Sequence, residues 1–209
     1  MHLVTGLFGI PIYQSHITLS EELRAHVRGQ EFLRFSQDNG SCTRDVRLLE
    51  QEELSALRSE ILRHVQFYTR DELSVADHIE FYLTNSWCTQ HLKGDSSHRH
   101  NHSNSLISGV VYIDCDDDSG EFRFFKDPTW MNLWPSAVDL DCSRYNNLNS
   151  KYWSITPRVG DIILLPSHLA HGVSPSRSDQ PRHCIAFNLF ARGSIGVGSD
   201  PEITRLDLV

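Results

Sequence analysis

Three histidines stand at alternate positions in the stretch HRHNHSNSLISG, residues 98–109. Successive side chains of an extended strand point to opposite faces, so residues two apart face the same way. Imidazole nitrogens bind iron, zinc, copper and nickel. The spacing therefore indicates that one strand supplies two ligands to a metal ion. One metal cannot easily take all three of His98, His100 and His102 from a continuous strand, so one of them is expected outside the metal shell.

A second segment, VGDIILLPSHLAHGVSP at residues 159–175, offers a third ligand. A Gly-Asp turn begins it, a buried strand follows, Pro166 closes the strand, and His171 comes five residues later. An early H-x-H strand followed by this layout is typical of a double-stranded β-helix, the cupin-like jelly roll, in which distant strands become neighbours. A lone histidine is more often a surface or core residue, but the two halves together predict a metal site. His168 falls in the turn after Pro166 and is not expected to be a ligand.

The stretch RHCIAFNLF begins with Arg182, eleven residues after His171. Alternation places four side chains on one face of this strand: Arg182, Cys184, Ala186 and Asn188. The opposite face is apolar, so the small and polar face is expected to line a barrel lumen. A guanidinium in such a lumen requires an anion, because an unpaired buried charge costs several kcal/mol, and its planar fork fits a carboxylate. A surface or salt-bridged arginine is the alternative on position alone.

The stretches HNHSNSLISGVVYID, VGDIILLPSHLAHGVSP and RHCIAFN together resemble the 2-oxoglutarate/Fe(II)-dependent oxygenase superfamily, and most of all a small bacterial and phage group within it. The likeness touches most of the chain and is strong from about residue 85 to 190. It implies that His100, His102 and His171 bind iron and that Arg182 holds the distal carboxylate of 2-oxoglutarate. His98 is then an outer neighbour of the metal or a substrate contact.

The chain departs from the pattern of that group at three positions. Ser103 replaces a proline, Val111 a tyrosine and Cys184 a serine, and the last change removes one hydrogen bond to the cosubstrate. The HNH motif also lacks the carboxylate of the usual H-x-D motif, so the ligand set carries one negative charge less. Cys184, Asn188 and Tyr112 complete the predicted cosubstrate pocket. For Tyr112, a core position is the alternative.

The resemblance implies an oxidoreductase that uses Fe(II), O2 and 2-oxoglutarate to hydroxylate an unidentified small-molecule or peptide substrate, with succinate and CO2 as coproducts. Two other functions remain open. A cupin-type dioxygenase would bind its substrate directly to the metal, form no succinate and respond little to the loss of Arg182. A non-catalytic jelly-roll binding module would hold a structural metal or none, and its site would be closed to further ligands.

The elements that must position these residues follow from the apolar periodicity. Ser20, followed by two glutamates, is typical of a helix N-terminus, and three- and four-residue spacing predicts a longer helix near 49–68. Beyond residue 78 the period becomes two, which predicts strands. We expect a mainly β fold with α elements, a double-stranded β-helix with N-terminal helices packed on the outside. The segment 126–153 lacks a period and is predicted to be a long loop or lid; it contains Trp130, Trp134 and Trp153.

Length and composition bound the remaining properties. We expect a single domain over residues 1–209, with helical support at about 15–75 and the jelly-roll core at about 78–192. The net charge of -8 argues against binding to a nucleic-acid backbone. Five widely spaced cysteines without a C-x-x-C pair indicate reduced thiols in the cytoplasm, and no apolar run is long enough for a membrane helix. Jelly-roll edges often pair, so a homodimer is one candidate assembly.

Overall fold

The computed structural model describes residues 6, 9–34, 39–127, 138, 140–196 and 202–208. Within them the helices are α1 (Glu21–Arg28) and α2 (Ser55–Gln66). The strands are β1 (Tyr13–His16), β2 (Phe32–Arg34), β3 (Ser41–Thr43), β4 (Glu80–His91), β5 (Ser97–His100), β6 (Ile107–Asp114), β7 (Phe122–Phe125), β8 (Tyr152–Ile155), β9 (Asp161–Pro166), β10 (His171–Val173), β11 (Arg182–Ile195) and β12 (Leu206–Leu208).

Two antiparallel sheets form the β framework of these residues. The larger sheet has the order β1-β9-β6-β11-β4-β3-β2, with β12 paired to the end of β11, and the smaller has the order β5-β10-β7-β8. Strands that are distant in sequence are neighbours in both sheets, since β6 lies between β9 and β11, and β10 lies between β5 and β7. This exchange is the connectivity of a jelly roll. The predicted double-stranded β-helix is confirmed.

Two hydrophobic clusters occupy opposite faces of the larger sheet. The inner cluster draws on strands of both sheets and so fills the space between them; its buried members are Val110, Tyr112, Phe122, Phe124, Ile163, Leu165, Leu169, Val173 and Cys184. The outer cluster contains buried residues of α1 and α2. It also contains the sheet side chains that alternate along the strands with those of the inner cluster, such as Val111, Ile162 and Ile185. The helices therefore support the sheet from outside, as predicted.

The two predicted helices are present, one of them with altered geometry. The Ser20 side chain accepts a hydrogen bond from the backbone N–H of Leu23 and caps α1. The helix expected near 49–68 begins with 3-10 turns at Leu48–Glu50 and Glu52–Leu54, continues as α2, and ends in a π-helical turn at Phe67–Glu72. The 3-10 turns bury three leucines. The backbone N–H of Leu49 donates a hydrogen bond to the hydroxyl of Ser86 in β4, which connects the start of the helix to the sheet. No helix in the described ranges has the length and apolarity that crossing a bilayer requires.

The segment predicted as a long loop is only partly irregular. Residues 140–151 contain no strand, but β8 begins at Tyr152, so Trp153 belongs to a strand and not to the loop. β8 pairs with β7, which supplies its backbone hydrogen-bond partners. The apolar periodicity of the sequence carries no information about this pairing. Trp130 and Trp134 lie outside the described residues.

Candidate metal and cosubstrate site

A β-bulge sets which histidines of β5 face the barrel interior. His171 of β10 pairs with His100 and Val173 pairs with Ser97, so residues 98 and 99 both oppose Gly172. Ser97 and His100 consequently line the same cavity, whereas the side chain of residue 98 is exposed. An added Cβ at Gly172 would lie 2.8 Å from the Ser97 carbonyl oxygen and 3.0 Å from the next carbonyl oxygen. The bulge therefore needs glycine on the facing strand.

The second histidine of the cavity lies beyond the end of the strand. β5 ends at His100, and His102 belongs to the irregular segment that follows. Its backbone N–H donates to the Ser167 carbonyl oxygen at 3.0 Å. The continuous strand that would align residues 98, 100 and 102 is thus absent, and only the last two converge with His171.

Three imidazoles converge closely enough for their ring nitrogens to hold one metal ion. One nitrogen from each of His100, His102 and His171 lies within 4.8 Å of the others. The Nε2 atoms of His102 and His171 are 3.2 Å apart, close to the separation of roughly 3 Å expected of two neighbouring ligands each about 2.1 Å from a metal. His100 Nδ1 donates to the His98 carbonyl at 2.8 Å, and His171 Nδ1 donates to the Leu169 carbonyl at 2.9 Å. These bonds leave the Nε2 lone pairs free to ligate.

The electrostatic surroundings favour the neutral form of the rings. Burial, together with the smaller effect of the neighbouring His100 ring, lowers the pKa of His102 to about 4. Burial also lowers the pKa of His171 to about 4, against the opposing effect of the Leu169 carbonyl. Only neutral imidazole binds a metal, so both rings have the protonation state that a metal site requires near neutral pH.

The same cavity contains a buried cation. Arg182 is 1% exposed, and within the described residues its Nε and Nη1 atoms have no hydrogen-bond partner. Nη2 lies 3.6 Å from the Cys184 Sγ, and the guanidinium lies 5.0 Å from the centre of the Tyr112 ring. A buried guanidinium with two free donors is costly unless an anion binds it. A guanidinium is suited to binding a carboxylate, which is the anion predicted from the sequence.

The structure places the other predicted pocket residues at different depths. Cys184 lines the cavity with Arg182 and Ala186, in agreement with the predicted alternation of β11. Tyr112 is fully buried, and its hydroxyl has no partner among the residues described. Asn188 is one step removed, because its Oδ1 accepts a hydrogen bond from Ser108, which itself lines the cavity.

His168 and His98 lie outside the cluster of three histidines. His168 is an exposed turn residue. His98 is an outer neighbour of the site: its carbonyl fixes His100, and its ring centre lies 5.3 Å from that of His100.

The cavity residues that the sequence did not predict include Trp87, Thr89 and Ser97. Trp87 packs against the His102 ring, with ring centres 5.9 Å apart, and the Thr89 hydroxyl lies 2.9 Å from the Cys184 Sγ. Both belong to β4, which pairs with β11 along its length. Trp87 and Thr89 could have been identified only from the register of β4 against β11. No local sequence motif encodes that register.

Comparison with known proteins gives the family. Residues 85–188 match the sequence family described as "Putative 2OG-Fe(II) oxygenase". The chain belongs to the 2-oxoglutarate/Fe(II)-dependent oxygenases. The matched segment of this oxygenase runs from β4 to β11 and includes the three converging histidines and Arg182. No curated protein sequence matches the chain.

Solved structures share the fold of this oxygenase over almost its whole length. The non-heme alpha ketoglutarate dependent epimerase SnoN from nogalamycin biosynthesis is 12% identical, with a TM-score of 0.62 over 96% of this chain and 91% of that chain. HygX from Streptomyces hygroscopicus, solved with nickel and 2-oxoglutarate bound, is 13% identical, with a TM-score of 0.60 over 96% and 92%. A Pseudomonas putida prolyl-4-hydroxylase is 15% identical, with a TM-score of 0.58 over 88% and 94%. At these identities the likeness establishes the double-stranded β-helix.

Proposed function

We propose that this oxygenase hydroxylates its substrate while it decarboxylates 2-oxoglutarate to succinate and CO2, with His100, His102 and His171 as the iron ligands. The observation that carries the proposal is the coexistence of two features in one cavity. Three imidazole nitrogens converge there, and the buried Arg182, whose Nε and Nη1 have no hydrogen-bond partner among the described residues, lines the same space. A metal site alone would not require the second feature.

Three neutral ligands make the charge balance of the site distinctive. The histidines leave the full double charge of Fe(II) uncompensated, and Arg182 adds a further positive charge in the same cavity. A dianionic 2-oxo acid offsets two of these three positive charges, one at the metal and one at Arg182, which favours a cosubstrate of this charge over a neutral molecule. Bound Fe(II) would supply the O2 activation and the oxidative chemistry.

The remaining pocket residues orient the cosubstrate. Arg182 binds the distal carboxylate through its guanidinium N–H donors, and the Tyr112 hydroxyl donates from the same buried region. Burial raises the pKa of Tyr112 far above its ordinary value, so the hydroxyl keeps its proton. Cys184 contacts the cosubstrate with its thiol, and Asn188 contributes indirectly through Ser108. The apolar side chains of Val110, Phe122, Leu165 and Val173 keep water from the reacting groups.

The test is an anaerobic titration with Fe(II) and then 2-oxoglutarate, followed by the weak visible charge-transfer band of a chelated complex. We expect a saturable band in the wild type and a loss of at least about 100-fold in cosubstrate affinity in Arg182→Ala, since a buried charge-assisted pair contributes several kcal/mol. Arg99→Ala is the matched control, because Arg99 is exposed and stacks on Phe125 away from the cavity lining. It should bind like the wild type.

Three results contradict the proposal. A wild type that binds Fe(II) but develops no band with 2-oxoglutarate, and that consumes O2 with a single substrate and without succinate, is a direct-binding dioxygenase. A closed metal site without exchangeable ligands indicates a binding module. If the band persists unchanged in Arg182→Ala, another group anchors the carboxylate.

We also propose the wider setting of the enzyme. Residues 1–209 form a single domain, with helical support at about 15–75 and the oxygenase core at about 78–192. The five free cysteines favour the cytoplasm, and the net charge of -8 disfavours a nucleic-acid partner. The substrate is a small molecule or a peptide group. Sedimentation of the purified chain tests whether it forms the homodimer that jelly-roll edges allow.

A further inference from the structure

A chain of buried hydroxyl groups lies behind the histidine cluster. The Ser167 hydroxyl oxygen is 2.7 Å from that of Ser105 and 2.8 Å from that of Ser108. Ser108 in turn donates to Asn188 Oδ1 at 2.7 Å. Ser167 is fully buried, and Ser108 and Asn188 are 3% and 6% exposed. Together with the half-buried Ser105, these side chains form a connected network in the low-dielectric interior.

The donors and acceptors of the network run in one direction. Asn188 Oδ1 can only accept, so Ser108 uses its single proton there and becomes an acceptor for Ser167. Ser167 can then accept from Ser105, whose alternative acceptors are the carbonyls of Ile107 and Leu189 at 3.1 and 3.2 Å. Every hydroxyl proton has an acceptor in this order. Such a chain is cooperative and resists distortion.

Ser167 uses all its polar atoms to hold one segment. Its backbone N–H donates to the Leu106 carbonyl at 3.0 Å, its carbonyl accepts from the His102 N–H at 3.0 Å, and its hydroxyl meets Ser105 and Ser108. The segment from His102 to Ser108 contains no strand before Ile107, so no sheet ladder fixes His102. The hydrogen bond from the His102 N–H to the Ser167 carbonyl fixes His102 instead.

Ser167 is also connected to His171 through a short stretch of backbone. Ser167 stands four residues before His171, in the turn whose Leu169 carbonyl accepts from His171 Nδ1. Ser167 therefore joins the segment that carries His102 to the turn that orients His171. Its position bears directly on the 3.2 Å separation of the two Nε2 atoms.

We propose that Ser167 is a positioning residue, and that its hydroxyl chain through Ser108 to Asn188 sets the geometry of the metal site. This inference rests on the metal site of the proposed function and extends it from the ligands to the residues that fix them. Partners outside the ligand shell orient metal ligands, and losing one typically lowers metal affinity by about 10- to 100-fold.

The test compares Co2+ binding to the wild type, Ser167→Ala and the control Ser176→Ala, using the visible ligand-field absorption of bound Co2+. Ser176 is a buried serine whose hydroxyl has no partner within the described part of the chain, so its loss controls for the change of residue type. We expect the dissociation constant of Ser167→Ala to rise about tenfold and the absorption bands to shift. A purely structural role would lower the melting temperature and leave the bands unchanged. Ser176→Ala should match the wild type.

A second variant keeps the test decisive if Ser167→Ala does not fold. Ser108→Ala removes the middle of the chain from within a strand, and it should also weaken Co2+ binding and shift the bands. Equal affinity and unchanged bands in either folded variant overturn the positioning role. If the wild type binds no Co2+, or if His171→Ala binds it equally well, the metal site itself is wrong and the proposed function fails with it. The two failures are thus distinguishable.

Discussion

The replacement Gly172→Ala should damage the metal site by adding a single methyl group. The new Cβ would lie 2.8 Å from the Ser97 carbonyl oxygen, 3.0 Å from the His98 carbonyl oxygen and 3.2 Å from the His98 carbonyl carbon. These are backbone atoms of β5 and cannot rotate away. Restoring ordinary van der Waals contact requires β5 and β10 to separate by roughly 0.5 Å.

That displacement matters because each strand carries a ligand. His100 lies on β5 and His171 on β10, directly paired across the sheet. Metal sites accept changes of only about 0.2 Å in ligand distance, so the required movement exceeds the tolerance. We expect a loss of metal affinity of at least about tenfold and a loss of stability of about 1–3 kcal/mol from overpacking.

The assay combines Co2+ titration with urea denaturation of the metal-free protein. Gly9→Ala is the matched control, because an added Cβ at Gly9 meets nothing within 4 Å; it should leave both quantities unchanged. If Gly172→Ala binds Co2+ with wild-type affinity, the bulge does not determine the position of His100, and the reasoning is refuted.

Three further predictions concern the surroundings of the site. Burial lowers the pKa of His91 to about 4, whereas in the unfolded chain it is 6.5; the unfolded state therefore binds more protons between these values, and stability falls as the pH is lowered through this window. Between pH 7.5 and 4.5 the wild type should lose about 2.5 kcal/mol more stability than His91→Gln in urea denaturation, and equal losses would contradict this. Asp114→Ala removes the carboxylate that binds Arg24 and Arg28 of α1, and a decrease in unfolding free energy of about 2 kcal/mol is expected; no decrease would show that these bonds are not stabilising. Cys184→Ser restores a hydroxyl donor to the pocket and should tighten 2-oxoglutarate binding about tenfold in the anaerobic titration, unless the cosubstrate does not reach this side chain.

Local patterns predicted the parts of the molecule that depend on neighbouring residues in sequence. The period-two alternation of β11 placed Arg182, Cys184 and Ala186 on the cavity side, where the structure has them. The cap at Ser20 and the apolar spacing of α2 are also local, and both helices formed. The approach of His171 to His100 depended on knowing which strands a jelly roll brings together.

The remaining features of the fold and the site depend on tertiary contacts, which local sequence patterns do not encode. The bulge at residues 98–99 breaks the alternation of the histidine strand, and only the close packing of Gly172 explains it. Thr89 enters the cavity through its register against β11. The hydroxyl chain of Ser167 joins three separate segments of the chain, so its members could not be linked before the fold was known. β8 formed because β7 supplied a partner.

The most direct test of the account is an anomalous diffraction map from crystals grown without oxygen in the presence of Mn2+ and 2-oxoglutarate. We predict one metal peak about 2.0–2.3 Å from an Nε2 atom of each of His100, His102 and His171, with a carboxylate of the cosubstrate bound to the guanidinium of Arg182. A peak that lacks His171 as a ligand, or a cosubstrate that leaves Arg182 without a carboxylate, would contradict it.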